Sequence, residues 1–169
     1  MAPVLTRTVR VTRSFRTPPG RVFAAWLDAR IARRWLFATA ARPIAHIELD
    51  ARVGGSFRFV DRRGDEAVEY KGQYLLVEPP RRLTFTLLLE EPSPAITHVV
   101  VAVERTRSGC ALAVIHEHVP RNRARDIEGR WCGMLYGLAE ALETIQPARE
   151  RRILRSLPFS PTPAYRSAP

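Results

Sequence analysis

The chain of 169 residues carries a single lysine, Lys71, among 27 basic residues. A net charge of +10 and a pI near 11 ordinarily direct attention to nucleic acid or an anionic membrane surface. Here the charge is almost all arginine, spread through every segment and set singly between apolar residues. That is the pattern of solvated strand and helix faces, and of a GC-rich coding bias, so neither a nucleic-acid nor a membrane partner is expected. There are only two cysteines, Cys110 and Cys132, with no CxxC pair. The first sits in an apolar strand-like run, which predicts a buried free thiol rather than a disulfide or a zinc site. No apolar run reaches membrane-spanning length, and "MAPVLTRTVR" lacks the apolar stretch of a signal peptide, so a soluble cytoplasmic protein is expected. Also missing are a phosphate-cradling glycine loop, a nucleophile elbow, a Ser-His-Asp order and a thiol–histidine pair. We therefore expect no cofactor and assign no catalytic set.

What is present is a change of period along the chain. Residues 7 to 16 alternate loosely, as a half-exposed strand does. "TPPGRVFAAWLD" reads as a helix start, with Thr17 as N-cap, the prolines in the first turn and Val22, Phe23, Trp26 and Leu27 on one face. A second short helix is expected through Ile31 and Trp35. From His46 to His118 the period is two, giving strands at 44–50, 56–62, 67–78, 82–90, 96–105 and 110–119. Their connections are short and turn-like, which predicts an antiparallel meander. After Pro120 the period becomes helical, with Ile127, Trp131, Met134, Leu135, Leu138, Leu142 and Ile145 on one face and Pro147 as the stop. Residues 147–169, rich in proline and arginine, read as a flexible tail after a single domain over 1–146.

Gly54 and Gly55 stand between two strand-like runs, without the helix N-terminus that a phosphate loop needs, so they predict a bend in the sheet. Gly129, Gly133 and Gly137 lie four apart on the last helix. Each costs about 1 kcal/mol relative to alanine, and close packing against a neighbour is the favoured reason over an open cavity. Glu48, Asp50, Asp61 and Glu69 read as solvated-face carboxylates.

The runs "VTRSFRTPPGRVFAAWLDARIARRW", "IELDARVGGSFRF" and "YKGQYLLVEPPRRLTFTL", followed by the Trp131–Leu135–Leu138–Leu142 helix, resemble the SRPBCC or START-like superfamily. The branch related to the activator of heat-shock-protein-90 ATPase is the closest likeness. The resemblance spans about residues 6 to 146. It departs at Ala29, where the family commonly has proline, and at Arg130, where a glycine often precedes the tryptophan. It implies an α+β helix-grip fold: a seven-stranded curved antiparallel sheet wrapped around a long C-terminal helix, with two short helices after the first strand. It also implies a deep, largely apolar pocket between sheet and helix.

The candidate ligand-binding residues follow from that fold and the strand phases. Trp26, Trp35 and Trp131 are expected at the pocket ends. Phe57, Phe59, Tyr70, Tyr74 and Phe85 supply its aromatic wall. If "TRSG" closes a tight hairpin with Thr106 opposite Gly109, Val99 pairs with His116 and His98 with Glu117. Val99, Val101, Leu112, Val114, His116 and His118 then share the pocket face, with Leu135 and Leu138 opposite. His116 is either a ligand anchor, a weak candidate for acid–base work, or a hydrogen-bonded histidine at the pocket rim. His116 and His118 could reach one metal ion from a common face. The third histidine, His98, falls on the other face in this register, so no metal site is assigned. The expected ligand is a small, mainly apolar molecule, a lipid or an aromatic. A pocket enzyme of cyclase or hydrolase type and a co-chaperone-like domain docking on an acidic partner stand as alternatives, and a homodimer stays open.

Overall fold

Strand β1 (Thr6–Phe15) turns Val9, Val11 and Phe15 inward and its arginines outward. Helix α1 (Pro19–Leu27) follows with Val22, Phe23, Ala25 and Trp26 buried on one face. Its cap is Pro18 with no side-chain hydrogen bond, and Thr17, expected there, is buried instead. Helix α2 is shorter than its period suggested, Ala29–Ala32, and begins where the Asp28 carboxylate accepts the Arg30 N–H at 2.9 Å. Trp35 lies beyond its end. The meander then runs through β2 (His46–Leu49), β3 (Ser56–Arg63), β4 (Glu66–Glu78), β5 (Arg82–Leu89), β6 (Ala95–Thr106) and β7 (Gly109–Pro120). After a single 3-10 turn comes helix α3 (Ala124–Ser156). This is a computed structural model in which residues 4–39, 42–90 and 94–156 are described, 145–156 by backbone alone.

The seven strands form one antiparallel sheet in the order β1-β7-β6-β5-β4-β3-β2. β1 therefore closes the meander beside its last strand. The β6–β7 register is the expected one throughout, from His98 opposite Glu117 to Thr106 opposite Gly109. The glycine pair bends the sheet: Gly54 takes a φ of +82 and bonds through its N–H to the Tyr74 carbonyl, while the Gly55 carbonyl accepts the Tyr74 N–H. A Cβ on Gly55 would sit 2.1 Å from the Asp50 carbonyl oxygen, so backbone approach there admits no side chain.

α3 lays Ile127, Trp131, Leu135, Leu138 and Leu142 on the inner face of the sheet, all buried. Removing each such side chain from water stabilises the fold by roughly 1.5–3 kcal/mol. The helix does not stop at Pro147 but continues to Ser156. A proline in a helix forfeits one backbone bond without forcing an end when the following turns remain helical. The rest of the expected tail, 157–169, lies outside the described residues.

One strand phase departs from expectation. β1 pairs Val9 with His116 but Arg7 with Val119, so Thr8 stands opposite both Glu117 and His118. This β-bulge inserts one residue into β7, and His118 takes a φ of +62. His118 is thereby turned off the face of buried His116 and out to solvent, while Val119 returns inward, fully buried. The strict two-residue alternation of β7 ends at this bulge: an extra residue reverses the face of what comes next.

Candidate functional site

The interior between sheet and α3 is filled. Trp26 meets Trp35 edge-on with centroids 4.7 Å apart and lies 6.1 Å from Trp131. The tryptophans thus gather in the core, and of the three only Trp35 borders an open space as well. Phe57, Phe59, Tyr74 and Phe85 interlock around them, with Phe57 perpendicular to Phe85 at 5.4 Å, and burial raises the Tyr74 phenol above its ordinary pKa. Val99, Val101, Leu112, Val114, Leu135 and Leu138 are buried as expected, but they face one another and not a space. The void left among Trp26, Phe37, Phe57, Tyr74, Phe85 and their neighbours is about 10 Å³, close to the smallest cavity that holds one water.

His116 belongs to this core. The Trp131 Nε1–H donates to His116 Nδ1 at 3.1 Å. That leaves the proton on Nε2, which donates to Thr97 Oγ1 at 2.7 Å, and the Thr97 hydroxyl donates to the Leu87 carbonyl at 2.8 Å. Both ring nitrogens are occupied by protein, so the imidazole has no lone pair or proton to offer a substrate. Burial lowers its pKa to about 4, so the neutral form is the one the network holds.

Open space survives at one end of the helix–sheet interface, as a cleft of about 1130 Å³. It lies between α3, the segment after α2 and the β3–β4 hairpin. Trp35, Phe37, Tyr70 and Met134 give it an apolar floor, and Arg34, Arg42, Arg63 and Arg130 surround that floor with positive charge. Glu140 and Glu143 stand on its helical wall. Arg63 is held by Asp61, whose carboxylate accepts its Nε–H at 2.9 Å, and Arg130 by Asp126 at 3.1 Å. Arg34 and Arg42 have no ion-pair partner among the described residues. Asp61, read above as solvated, is buried; it follows Phe57 and Phe59 at two-residue steps and so shares their inward face.

Of the sequence candidates, Trp35 and half-buried Tyr70 line this cleft. Sequence reasoning missed Phe37 and Met134. The Phe37 N–H donates to Met134 Sδ at 3.1 Å, and the Phe37 ring stacks on Tyr70 at 4.5 Å, 7° from parallel. Phe37 borders both the cleft and the inner void, so it is the partition between them. No period announces it, because it lies in the irregular segment after α2. The glycine stripe also resolves here. A Cβ on Gly129 or Gly133 would meet nothing within 4 Å, and one on Gly137 only Trp35 at ordinary contact distance. The stripe is not a close-packing surface; Gly133 and Gly137 leave the cleft open.

Comparison with known proteins agrees with this architecture. Structures of similar fold include a protein from Chromobacterium violaceum, 25% identical with a TM-score of 0.72, the match covering 79% of this chain and 94% of that one. An AHSA1-like protein from Aeromonas hydrophila is 19% identical with a TM-score of 0.72, covering 83% and 94%. A protein of unknown function from Staphylococcus aureus is 16% identical with a TM-score of 0.73, covering 85% and 97%. No curated protein sequence matches significantly. Among the described residues no helix is long and apolar enough to cross a membrane. The family profile described as Activator of Hsp90 ATPase homolog 1-like protein matches residues 16–143, and the chain, with its helix gripped by a seven-stranded sheet, belongs to that family.

Proposed function

We propose that the cleft binds a small amphipathic anion, an aliphatic or aromatic body ending in a carboxylate or a similar acidic head. The observation that carries this reading is the placement of two guanidiniums with no ion-pair partner among the described residues, Arg34 and Arg42, beside the apolar floor of Trp35, Phe37, Tyr70 and Met134. An apolar body covers the floor and an anionic head satisfies the arginines, which is the division of labour common to small-molecule sites. A purely apolar ligand would make no use of the two guanidiniums at its edge. Acid–base catalysis by His116 finds no support, since its nitrogens are engaged inside the core.

The test is thermal unfolding of the freshly purified chain with sodium decanoate, together with native mass spectrometry for a co-purified acid. Saturable stabilisation by decanoate supports the proposal; a melting temperature indifferent to it defeats it. A second reading, docking on an acidic protein partner such as a chaperone, rests on the net charge of +10 and on the family's description. Pull-down of an Hsp90-type chaperone by a variant with the cleft plugged, Gly133→Leu, would favour it.

A further inference from the structure

On the side of the sheet away from α3, the bulge in β7 assembles something the strand alternation alone forbids. His98 on β6 lies directly opposite Glu117 on β7. The extra residue then swings His118 to the same side, and its ring stands edge-on to that of His98 with centroids 5.4 Å apart. One ring nitrogen from each histidine and one carboxylate oxygen of Glu117 lie within 4.8 Å of one another. None of the three has a hydrogen bond or ion pair with another described residue, so their lone pairs meet no donor among the described residues.

We propose that His98, Glu117 and His118 form a binding site for a borderline divalent transition-metal ion, with zinc as the reference case. Two imidazoles and one carboxylate are a donor set such ions take, with bonds of about 2.0–2.2 Å and neighbouring donors about 3.3 Å apart in a tetrahedron. The present separations, up to 4.8 Å, are wider than that, so binding requires the three side chains to turn toward one another. His98 and Glu117 are each half-buried and anchored by the β6–β7 ladder, whereas His118 is exposed. Two positions are thus fixed and the third comes in from the bulge. His118 holds a left-handed backbone that a non-glycine residue adopts at a cost of roughly 1–2 kcal/mol, and this conformation is what delivers its imidazole to the other two donors. Three protein ligands leave the fourth position of a tetrahedral ion to water. The site lies on the opposite side of the sheet from the cleft and does not depend on its reading.

The experiment is titration of the tag-free, metal-stripped full chain with Zn²⁺ by calorimetry, and with Co²⁺ by visible absorption. We expect one equivalent to bind saturably, with the intense d–d bands of a four-coordinate cobalt ion. His98→Ala weakens binding by at least about tenfold, and so does His118→Asn, which keeps a residue tolerant of the left-handed backbone. Circular dichroism shows both variants folded, as expected for substitutions on the outer sheet face. Absence of stoichiometric binding overturns the proposal. So does binding that survives in both variants, or that disappears instead on Cys132→Ser or His46→Ala, two other exposed nitrogen or sulfur donors among the described residues.

Discussion

The Phe37 amide donates to the Met134 sulfur across 3.1 Å, tying the segment after α2 to the middle of α3. Phe37 does this at a φ of +58, where a bulky side chain is strained by roughly 1–2 kcal/mol. Its ring packs against Tyr70 and, at 5.2 Å, against Phe59, so packing holds the strain in place.

This predicts an inverted order of substitutions. Truncating a packed aromatic costs about 3–5 kcal/mol, and Phe37→Ala loses that packing while keeping the strained backbone. Phe37→Gly loses the same packing but relieves the backbone. Urea unfolding should find the glycine variant more stable than the alanine variant by about 1 kcal/mol, the reverse of the usual ranking. The usual ranking would mean that the left-handed conformation is not held.

The glycine stripe separates stability from binding. Gly133→Ala places its Cβ in open space and should stabilise the helix by about 1 kcal/mol. Gly133→Leu should fold equally well and abolish stabilisation by decanoate. Gly55→Ala, by contrast, drives a Cβ into the Asp50 carbonyl and should lower the melting temperature clearly. Thermal unfolding of the three variants side by side checks all of this.

His116 gives the fold a defined response to acid. Its folded pKa, lowered to about 4 by burial, is below the unfolded value of about 6.5. Above pH 6.5 neither state is protonated there, and the full stability is present. Between pH 6.5 and about 4 the unfolded chain takes up a proton that the folded one refuses, so stability falls as pH falls, by at most about 3 kcal/mol. Denaturant midpoints across this range should show the loss in the native chain, and His116→Gln, which cannot titrate, should lack this component. An unchanged pH slope in the variant would place the sensitivity elsewhere.

How much of this was legible depended on the kind of signal. Thr106 and Gly109 fixed the last hairpin, and a two-residue turn transmits its register to every pair of the ladder, so Val99 opposite His116 could be read from sequence. The face of α3 was equally plain, because Trp131, Leu135, Leu138 and Leu142 repeat at helical spacing. Local exceptions were not legible. The bulge that turns His118 outward depends on where β1 stops matching β7, a relation between residues far apart in the chain. The cleft depends on Phe37, which belongs to no period, and on the absence of side chains at Gly133 and Gly137, whose four-residue spacing is plain in the sequence but whose neighbour, open space and not a packed element, is not. That His116 is satisfied by hydrogen bonds was visible as an alternative, but at the rim of a pocket; its place in the core comes only from the Trp131 and Thr97 contacts.

The two cleft arginines without an ion-pair partner among the described residues supply the most discriminating prediction. Arg34 and Arg42 are exposed, so each contributes through a solvated, charge-assisted contact and not through a buried pair. Arg34→Ala and Arg42→Ala should each weaken decanoate binding by about tenfold, equivalent to about 1.4 kcal/mol, and added salt should weaken the native chain's affinity in the same direction. Decanol has the same tail without the charge and should bind native chain and variants alike, more weakly than decanoate binds the native chain. Calorimetric titration of both ligands separates the contributions. If decanol binds as tightly as decanoate, or if the arginine variants bind both equally well, the cleft recognises only apolar surface and its charged rim has no part in selecting the ligand.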